Sequence, residues 1–592
     1  MNPSKQILDA KLAELETVSG VSEHDIESAV LTLRSVDSAE EACKEWQYEA
    51  LAFSFSEDHT NKRNSWGSYF GPMKVFRGDD GKTVERPSLQ QIDKETILYW
   101  QQRAKAAINP LLQARYAGLL WELSEPAVSE KPSHAVARVY CDALLSIADK
   151  RLHLYEVDVI EKLSRALSVA ISLNDQVLIE KAKQIIIKYE QEVGEDSKPG
   201  LWGFSFDLLV GNRKVPLSKK EEAAIINALE ERLQRLKGGD PWQCESAAGR
   251  LARYYRGKDR EAECFRVIRD LGSAFEGAAG NAAPLAASSW LEHMHQVYCQ
   301  FNLIVDADRV ACMIRELGPK VLADMKPMSC NQEVSREEFD AYVESIVEGT
   351  LDEVFARIAI RYIERRGEVE KQLRNLSSLA PFSFLVTNQI MDHRGRVVAT
   401  VGSLEDDLDG HVVSQTSQNM GVSSVFLEAV LDRAISKFGV SEDALVNYLV
   451  LSPLFGDEQG KFLVAAMRAY LQRDFVVAIH LFVPQIEAAI RNLVELTGGA
   501  VLKSRKGGGF HLRTLDELLR TEQVRKVLGN DVALYFRVML TDQRGWNIRN
   551  DVSHGTFPHQ NASRVVADRL LHVLMVLAQL RASGEPSTSS SP

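Results

Sequence analysis

Apolar residues recur at three- and four-residue spacing from the start of the chain to about residue 335, with few β-branched alternations, a pattern that predicts helices almost throughout. ARYAGLLWEL (114–123) is one such unit. SHAVARVYCDALLSIADKRL (133–152), YEVDVIEKLSRALSVAISL (155–173) and DQVLIEKAKQIIIKYEQEV (175–193) follow, helices of about 15 to 20 residues joined by short connections. Such a run predicts stacked helical hairpins. No strict 34-residue signature recurs, so the expectation for 1–335 is an irregular α-solenoid rather than a defined repeat class. One polar interruption, 59–88, is too rich in Gly, Asn and charge for a helix and reads as a loop or small hairpin.

The pattern changes after residue 335. REEFDAYVESIVEGTLDEVFARIAIRYIERRGEVEKQLRNL (336–376) predicts a second helical stretch, and FSFLVTNQIMDHRGRVVATVGS (382–403) places apolar runs on either side of a DHRG turn. That arrangement predicts a β-hairpin, read as a small connector between helical domains, with SLEDDLDGHVVSQTSQN (403–419) as a polar linker or exposed loop. From 421 a compact helical bundle is expected. Within 473–499, Asp474 is placed to cap a helix whose stripe is Ile479, Phe482, Val483, Ile486, Ile490, Leu493 and Val494. Gly498 ends it, and Pro484 should kink it.

SRKGGGFHL (504–512) reads as a flexible basic loop, and Asn547 as the cap of a short helix IRNDVSH stopped by Gly555. The last helix, 562–580, has one broad apolar face suited to core or dimer contact. The expected class is mainly α. Its parts are a helical-repeat-like region (1–335), a helical connector with a β-hairpin (336–420), a helical bundle (421–582) and a disordered polar tail (583–592).

Composition narrows the class without naming a function. A chain of 592 residues exceeds what one hydrophobic core supports, so several domains or an extended array are required. With 45% hydrophobic and 26% charged residues it fits neither a largely disordered nor a membrane-embedded protein. The start, MNPSKQILDAKLAELE, has no apolar core or cleavage site of a secretion signal, and uninterrupted apolar runs fall short of the roughly 20 residues that span a bilayer. A cytoplasmic protein without membrane contact is expected. Seven scattered cysteines without a C-x-x-C pair predict reduced thiols rather than disulfides or zinc, and no cofactor is expected.

Charge is polarised. Between Lys461 and Arg581 there are 17 Lys and Arg against 10 Asp and Glu, a balance of +7, which leaves −19 for the remainder of a chain whose net charge is −12. A basic C-terminal region on an acidic body suits a polyanion-binding module on a partner-binding scaffold.

RNDVSHG (549–555) supplies the only grouping with clear chemistry. An imidazole at His554 can exchange a proton close to neutral pH, and the Arg549 guanidinium offers planar donors for phosphate oxygens. Those are the groups needed for phosphodiester cleavage without a metal, with Asn550 able to position either. On an ideal helix Asn550 and His554 share a face, whereas Arg549 sits about 140° from His554. Convergence then needs a bend, the helix end at Gly555, or a second copy across a two-fold axis.

The motif resembles the R-x4-H motif, in its RN-x3-HG form, of the HEPN superfamily, and specifically a HEPN-like domain of unknown function carrying it near the C-terminus. IHLFVPQIEAAIRNL (479–493) and YFRVMLTDQRGWNIRNDVSHG (535–555) are similar to the corresponding helices, so the resemblance covers roughly 420–582. It implies a four-helix bundle, commonly dimeric, and a metal-independent endoribonuclease of toxin, abortive-infection or antiviral systems. It implies catalytic roles for Arg549, Asn550 and His554, RNA as substrate, a homodimer through the bundle, and a protein partner on the N-terminal helices. Some members have no nuclease activity, so a non-catalytic RNA- or nucleotide-binding module is the second reading, and a structural scaffold the third.

Other candidates are secondary. Glu487, Arg491 and Asn492 fall near the motif by the same resemblance, either as a salt-bridged helix face or as groups that orient Arg549 or contact RNA. Lys503, Arg505 and Lys506 could follow a phosphate backbone or form a solvated loop. GDEQGKF (456–462) resembles a P-loop but is one residue short before GK and has Phe462 where a hydroxyl should hold magnesium. His293 and His295 face different sides of a helix and do not form a metal pair.

Overall fold

The structure is a computed structural model that describes residues 3–36, 44–57, 66–78, 81–326 and 333–581. The polar tail, Cys43, Cys330 and residues 58–65 and 79–80 of the polar interruption lie outside them. The chain is mainly helical: the described residues form 26 α-helices and eight short strands in four two-stranded antiparallel sheets. The fold separates into two compact units, 1–311 and 312–592, divided inside the Ile304–Asp324 helix rather than at 335.

In the first unit the periodic text becomes Pro110–Val128, His134–Asp149, Glu156–Ser172 and Gln176–Val193, each helix packed on the next. Local chemistry sets the ends. Asn109 accepts the Leu111 N–H with Pro110 in the first turn, and Asp175 accepts the Val177 and Leu178 N–H groups. Lys219–Leu236, Pro241–Gly257, Glu261–Ala279 and Pro284–Gln300 repeat this neighbour-on-neighbour packing. The described part of the polar interruption pairs Lys74–Arg77 with Thr83–Arg86 as a small hairpin. Cys141, Cys244 and Cys264 are buried free thiols; Cys299 and Cys312 are free and exposed.

In the second unit one core runs from Val343 to Ala578. The 336–376 stretch is three helices, Arg336–Ile346, Leu351–Arg361 and Arg366–Leu379, the first break lying at Gly349 with φ +97°. Val354, Phe355 and Ile358 of the second join the same core as the C-terminal helices, so 336–420 belongs to the bundle instead of bridging two domains.

Two expectations are corrected here, and the core-or-dimer alternative for the last helix is decided. Residues 403–419 are not a linker: from Leu408 they begin a 31-residue helix, Leu408–Phe438. Asp407 caps it by accepting the Gly410 N–H, and Val412, Val413, Thr416 and Met420 bury a helical stripe. Part of its polar text bonds to a neighbouring helix, since Asn419 donates to Gln372 at 2.9 Å while accepting from Gln415 of its own helix at 3.0 Å. Residues 504–512 form a hairpin, Leu502–Ser504 with Phe510–Leu512, turned by three glycines at positive φ. The last helix, Arg564–Leu577, has twelve successive buried residues from Val566 to Leu577, so it is core on all sides and offers no apolar face for a dimer.

Phe475–Leu496 runs through Pro484 as one helix, capped by Asp474 and followed by Gly498 at φ +72°. By length and composition it could cross a bilayer, but its apolar stripe, Ile479, Phe482, Val483, Ile486 and Ile490, fills the bundle core.

Candidate functional site

RNDVSHG folds as a one-and-a-half-turn helix, Ile548–Ser553, and its flanks explain its placement. The Glu522–Leu540 helix ends in a turn in which Asp542 accepts the Arg544 N–H at 3.1 Å and pairs with the Arg537 and Arg544 side chains. Gly545 passes so close to Val538 that a Cβ there would collide with its carbonyl. The next residue, Trp546, donates its N–H to Val538 at 2.8 Å and its indole N–H to the Ser417 carbonyl at 3.2 Å. Asn547 then adopts φ +53° and starts the motif helix; its side chain accepts from Asn550 instead of capping a backbone N–H. Ile548 anchors the helix in the core, and Gly555 at φ +67° ends it.

Arg549 is held from two sides. Its Nε and Nη2 donate to the Glu487 carboxylate at 2.7 and 3.2 Å, and its Nη1 donates to Asn550 Oδ1 at 3.1 Å. Asn550 is fixed in turn by donating to the Thr541 carbonyl and to Asn547. Arg491 also donates to Glu487, and to the Arg513 carbonyl at 2.8 Å. Burial pushes the Glu487 carboxyl up, but hydrogen bonds and charge from Arg549, then Arg491, outweigh it and hold the group below its ordinary value. Two guanidiniums on one carboxylate leave the trio net positive.

His554 caps the motif helix, with its N–H donated to the Asn550 carbonyl at 2.9 Å and its ring exposed. Arg549, Asn550 and His554 all line one open cleft of about 710 Å³. Two side chains that an ideal helix would set about 140° apart therefore border the same cleft within one chain, because the motif helix is short and His554 lies at its end.

The opposite wall is the Asn388–Met391 and Val397–Val401 hairpin, expected only as a connector. Its Asp392 accepts the Arg394 and Arg396 N–H groups at 2.9 and 3.0 Å and pairs with the Arg396 side chain, which shapes the DHRG turn. That turn brings His393 and Arg396 to the cleft. Asp516 also lines it, accepting from Thr541 at 3.0 Å and from Arg520 at 2.8 Å. The sequence signal missed was a histidine and an arginine, His393 and Arg396, at the tip of a hairpin.

Several expected substrate contacts are elsewhere. Glu487 and Arg491 position Arg549 from behind and do not line the cleft. Asn492 points away, donating to the Leu454 carbonyl at 2.8 Å and to Gln459 at 3.1 Å, because one residue turns the helix face by about 100°. Lys503 pairs with Glu517, and Arg505 and Lys506 lie exposed at the hairpin tip, outside the cleft lining. Among the described residues no three His, Cys, Asp or Glu side chains converge into a metal-holding group. Comparison of the chain with models of protein families, with curated proteins and with solved structures found no match.

Proposed function

We propose that the cleft beside the Ile548–Ser553 helix cleaves RNA by transesterification, and that the C-terminal unit is a HEPN-like bundle. The observation that carries this reading is that Arg549, Asn550 and His554 line one open cleft, with Arg549 fixed by Glu487. A guanidinium has five N–H donors; three of those of Arg549 are engaged, which leaves two for a phosphate oxygen pair. In the proposed reaction the ribose 2′-OH attacks the adjacent phosphorus, and His554 takes its proton as the new P–O2′ bond forms. The P–O5′ bond breaks, the 5′ oxygen takes a proton from the imidazolium or water, and the products are a 2′,3′-cyclic phosphate and a 5′-OH. Arg549 stabilises charge on the phosphoryl oxygens as it grows.

The rest of the proposal follows from the same resemblance. The first unit is a solenoid-like scaffold that holds a regulatory protein partner, the protein works in the cytoplasm as a toxin or antiviral effector, and the bundle forms a homodimer. The three motif residues border one cleft within a single chain, so in this reading a dimer presents two clefts instead of completing one. Purified protein incubated with total RNA in EDTA should yield cyclic-phosphate ends. RNA left intact under every condition that supports binding would remove the reaction. The binding-only reading is favoured by the Glu487 clamp, which neutralises half of the Arg549–Arg491 pair's charge; salt-dependent RNA binding without turnover would establish it.

A further inference from the structure

A second cavity, of about 440 Å³, lies between the start of Arg366–Leu379, the short Leu515–Leu519 helix and the Glu522–Leu540 helix. Four of its lining side chains are arginines, Arg366, Arg520, Arg525 and Arg537, and among the described residues that line it none is acidic. Asn530 adds an amide, and buried Leu534 an apolar floor.

The carboxylates that pair with these arginines stand behind them. Asp409 accepts from Arg366 at 3.1 Å and from Arg537 at 3.3 Å, Glu370 from Arg366 at 2.8 Å, Asp542 from Arg537 at 3.0 Å, and Asp516 from Arg520 at 2.8 Å. One guanidinium is left without a carboxylate; the Nε of Arg537, although it has no hydrogen-bond partner, is closed off from water and so from the cavity. Arg525 has no carboxylate partner among the described residues and donates only to the Arg520 carbonyl, at 3.1 Å.

The backbone adds to the same field. At Gly529, φ +79° and ψ 163° interrupt the Glu522–Leu540 helix, so a new helical segment begins at Asn530. Its first turn, through Asn530 and Ala533, lines the cavity and presents the positive end of a helix dipole; Asp531 in that turn is engaged by the Arg366 N–H at 3.0 Å. Four guanidiniums and a helix start border a space whose own lining carries no acid, and the forked N–H donors of arginine match the oxygens of a phosphate. The volume is that of a small-molecule site.

We propose that this cavity binds the phosphate of a small phosphorylated molecule of mononucleotide size, at a site distinct from the motif cleft. Asp516 is shared between them: it lines the cleft and holds Arg520 of this cavity, which gives a bound phosphate a direct mechanical link to the cleft wall.

The test uses the full chain with AMP, inorganic pyrophosphate and a short single-stranded RNA as separate probes, read by calorimetry and by thermal unfolding. AMP and pyrophosphate should bind saturably and raise the melting temperature by a few degrees. Arg525→Glu should weaken them at least about tenfold, with Arg525→Lys retaining part of the affinity and His554→Ala all of it. Arg525 is exposed, and an unliganded melting temperature matching the wild type certifies that the variant is folded. Binding insensitive to Arg525→Glu, binding lost instead in His554→Ala, or no response to either phosphate probe at millimolar concentration overturns the proposal. So does Arg525-dependent binding of RNA alone, which would make the cavity a backbone contact. Failure of RNA cleavage leaves this site standing, because none of these readouts uses turnover.

Discussion

Glu487, in the middle of the Phe475–Leu496 helix, and Arg549, in the motif helix, are joined by two hydrogen bonds of 2.7 and 3.2 Å across 62 residues of sequence. The carboxylate sits behind the guanidinium, so it sets the angle at which Arg549 meets the cleft. Replacing it with glutamine keeps the shape and removes the charge. Glu487→Gln should lower single-turnover RNA cleavage about 10- to 100-fold, the cost of a misplaced reacting group, and reduce stability by about 1–2 kcal/mol as two guanidiniums lose a charged acceptor. Cleavage unchanged in a variant that melts lower would assign Glu487 to folding alone.

Arg549→Ala and His554→Ala should each reduce cleavage by about 10²- to 10⁴-fold. His554→Ala should leave the melting temperature unchanged, since its ring is exposed. Arg549→Ala should lower it slightly through loss of the Glu487 pair. Quantifying cyclic-phosphate ends alongside calorimetry separates chemistry from folding.

Asn492→Ala and Lys503→Ala test the corrected placements. Both side chains are engaged away from the cleft, so cleavage should stay within about twofold of wild type. Asn492→Ala should still cost about 1 kcal/mol in urea unfolding, because the Leu454 carbonyl loses its donor. A large loss of RNA affinity from either would return these residues to the substrate path.

Two buried groups in the central Arg564–Leu577 helix give the second unit opposed pH responses. His572, whose Nε2–H donates to the Ile358 carbonyl while Nδ1 accepts from Tyr535, is pushed down to about 3 by burial and then by Arg569. The unfolded chain binds that proton from about pH 6.5 downward and the folded chain does not, so this contribution is complete above pH 6.5 and is lost as pH falls toward 3. Asp568 is pushed up to about 6 by burial, with Tyr470 donating to it at 2.6 Å. The folded chain then keeps a proton the unfolded one releases, and stability falls as pH rises from about 4 to 6. Urea unfolding against pH should show His572→Gln less sensitive to acid and Asp568→Asn more so. Parallel profiles for both variants and wild type would contradict the assignment.

The sequence alone was enough for the helices of 110–193, because an apolar stripe at 3.6-residue period is a local instruction, reinforced by the Asn109 and Asp175 caps of the first and last of them. It was also enough for the DHRG hairpin, where Asp392 and Gly395 close the turn, and for the short motif helix stopped at Gly555. The polar run at 414–419 was misleading, since Asn419 meets Gln372 of another helix and Thr416 is buried by tertiary packing, neither of which gives a local signal.

Tertiary structure decided what the motif faces. Periodicity assigns Asn492 and Arg491 to adjacent faces, but only packing against Leu454 and Glu487 determines that one points away and the other braces Arg549. The apolar text of the last helix fixed that it would be buried somewhere; its complete enclosure came from neighbours on every side. His393 reaches the cleft for the same reason, through a hairpin folded back across more than 150 residues of chain. A periodic stripe encodes which side of an element avoids water, whereas the identity of the group it meets is a property of the assembled core.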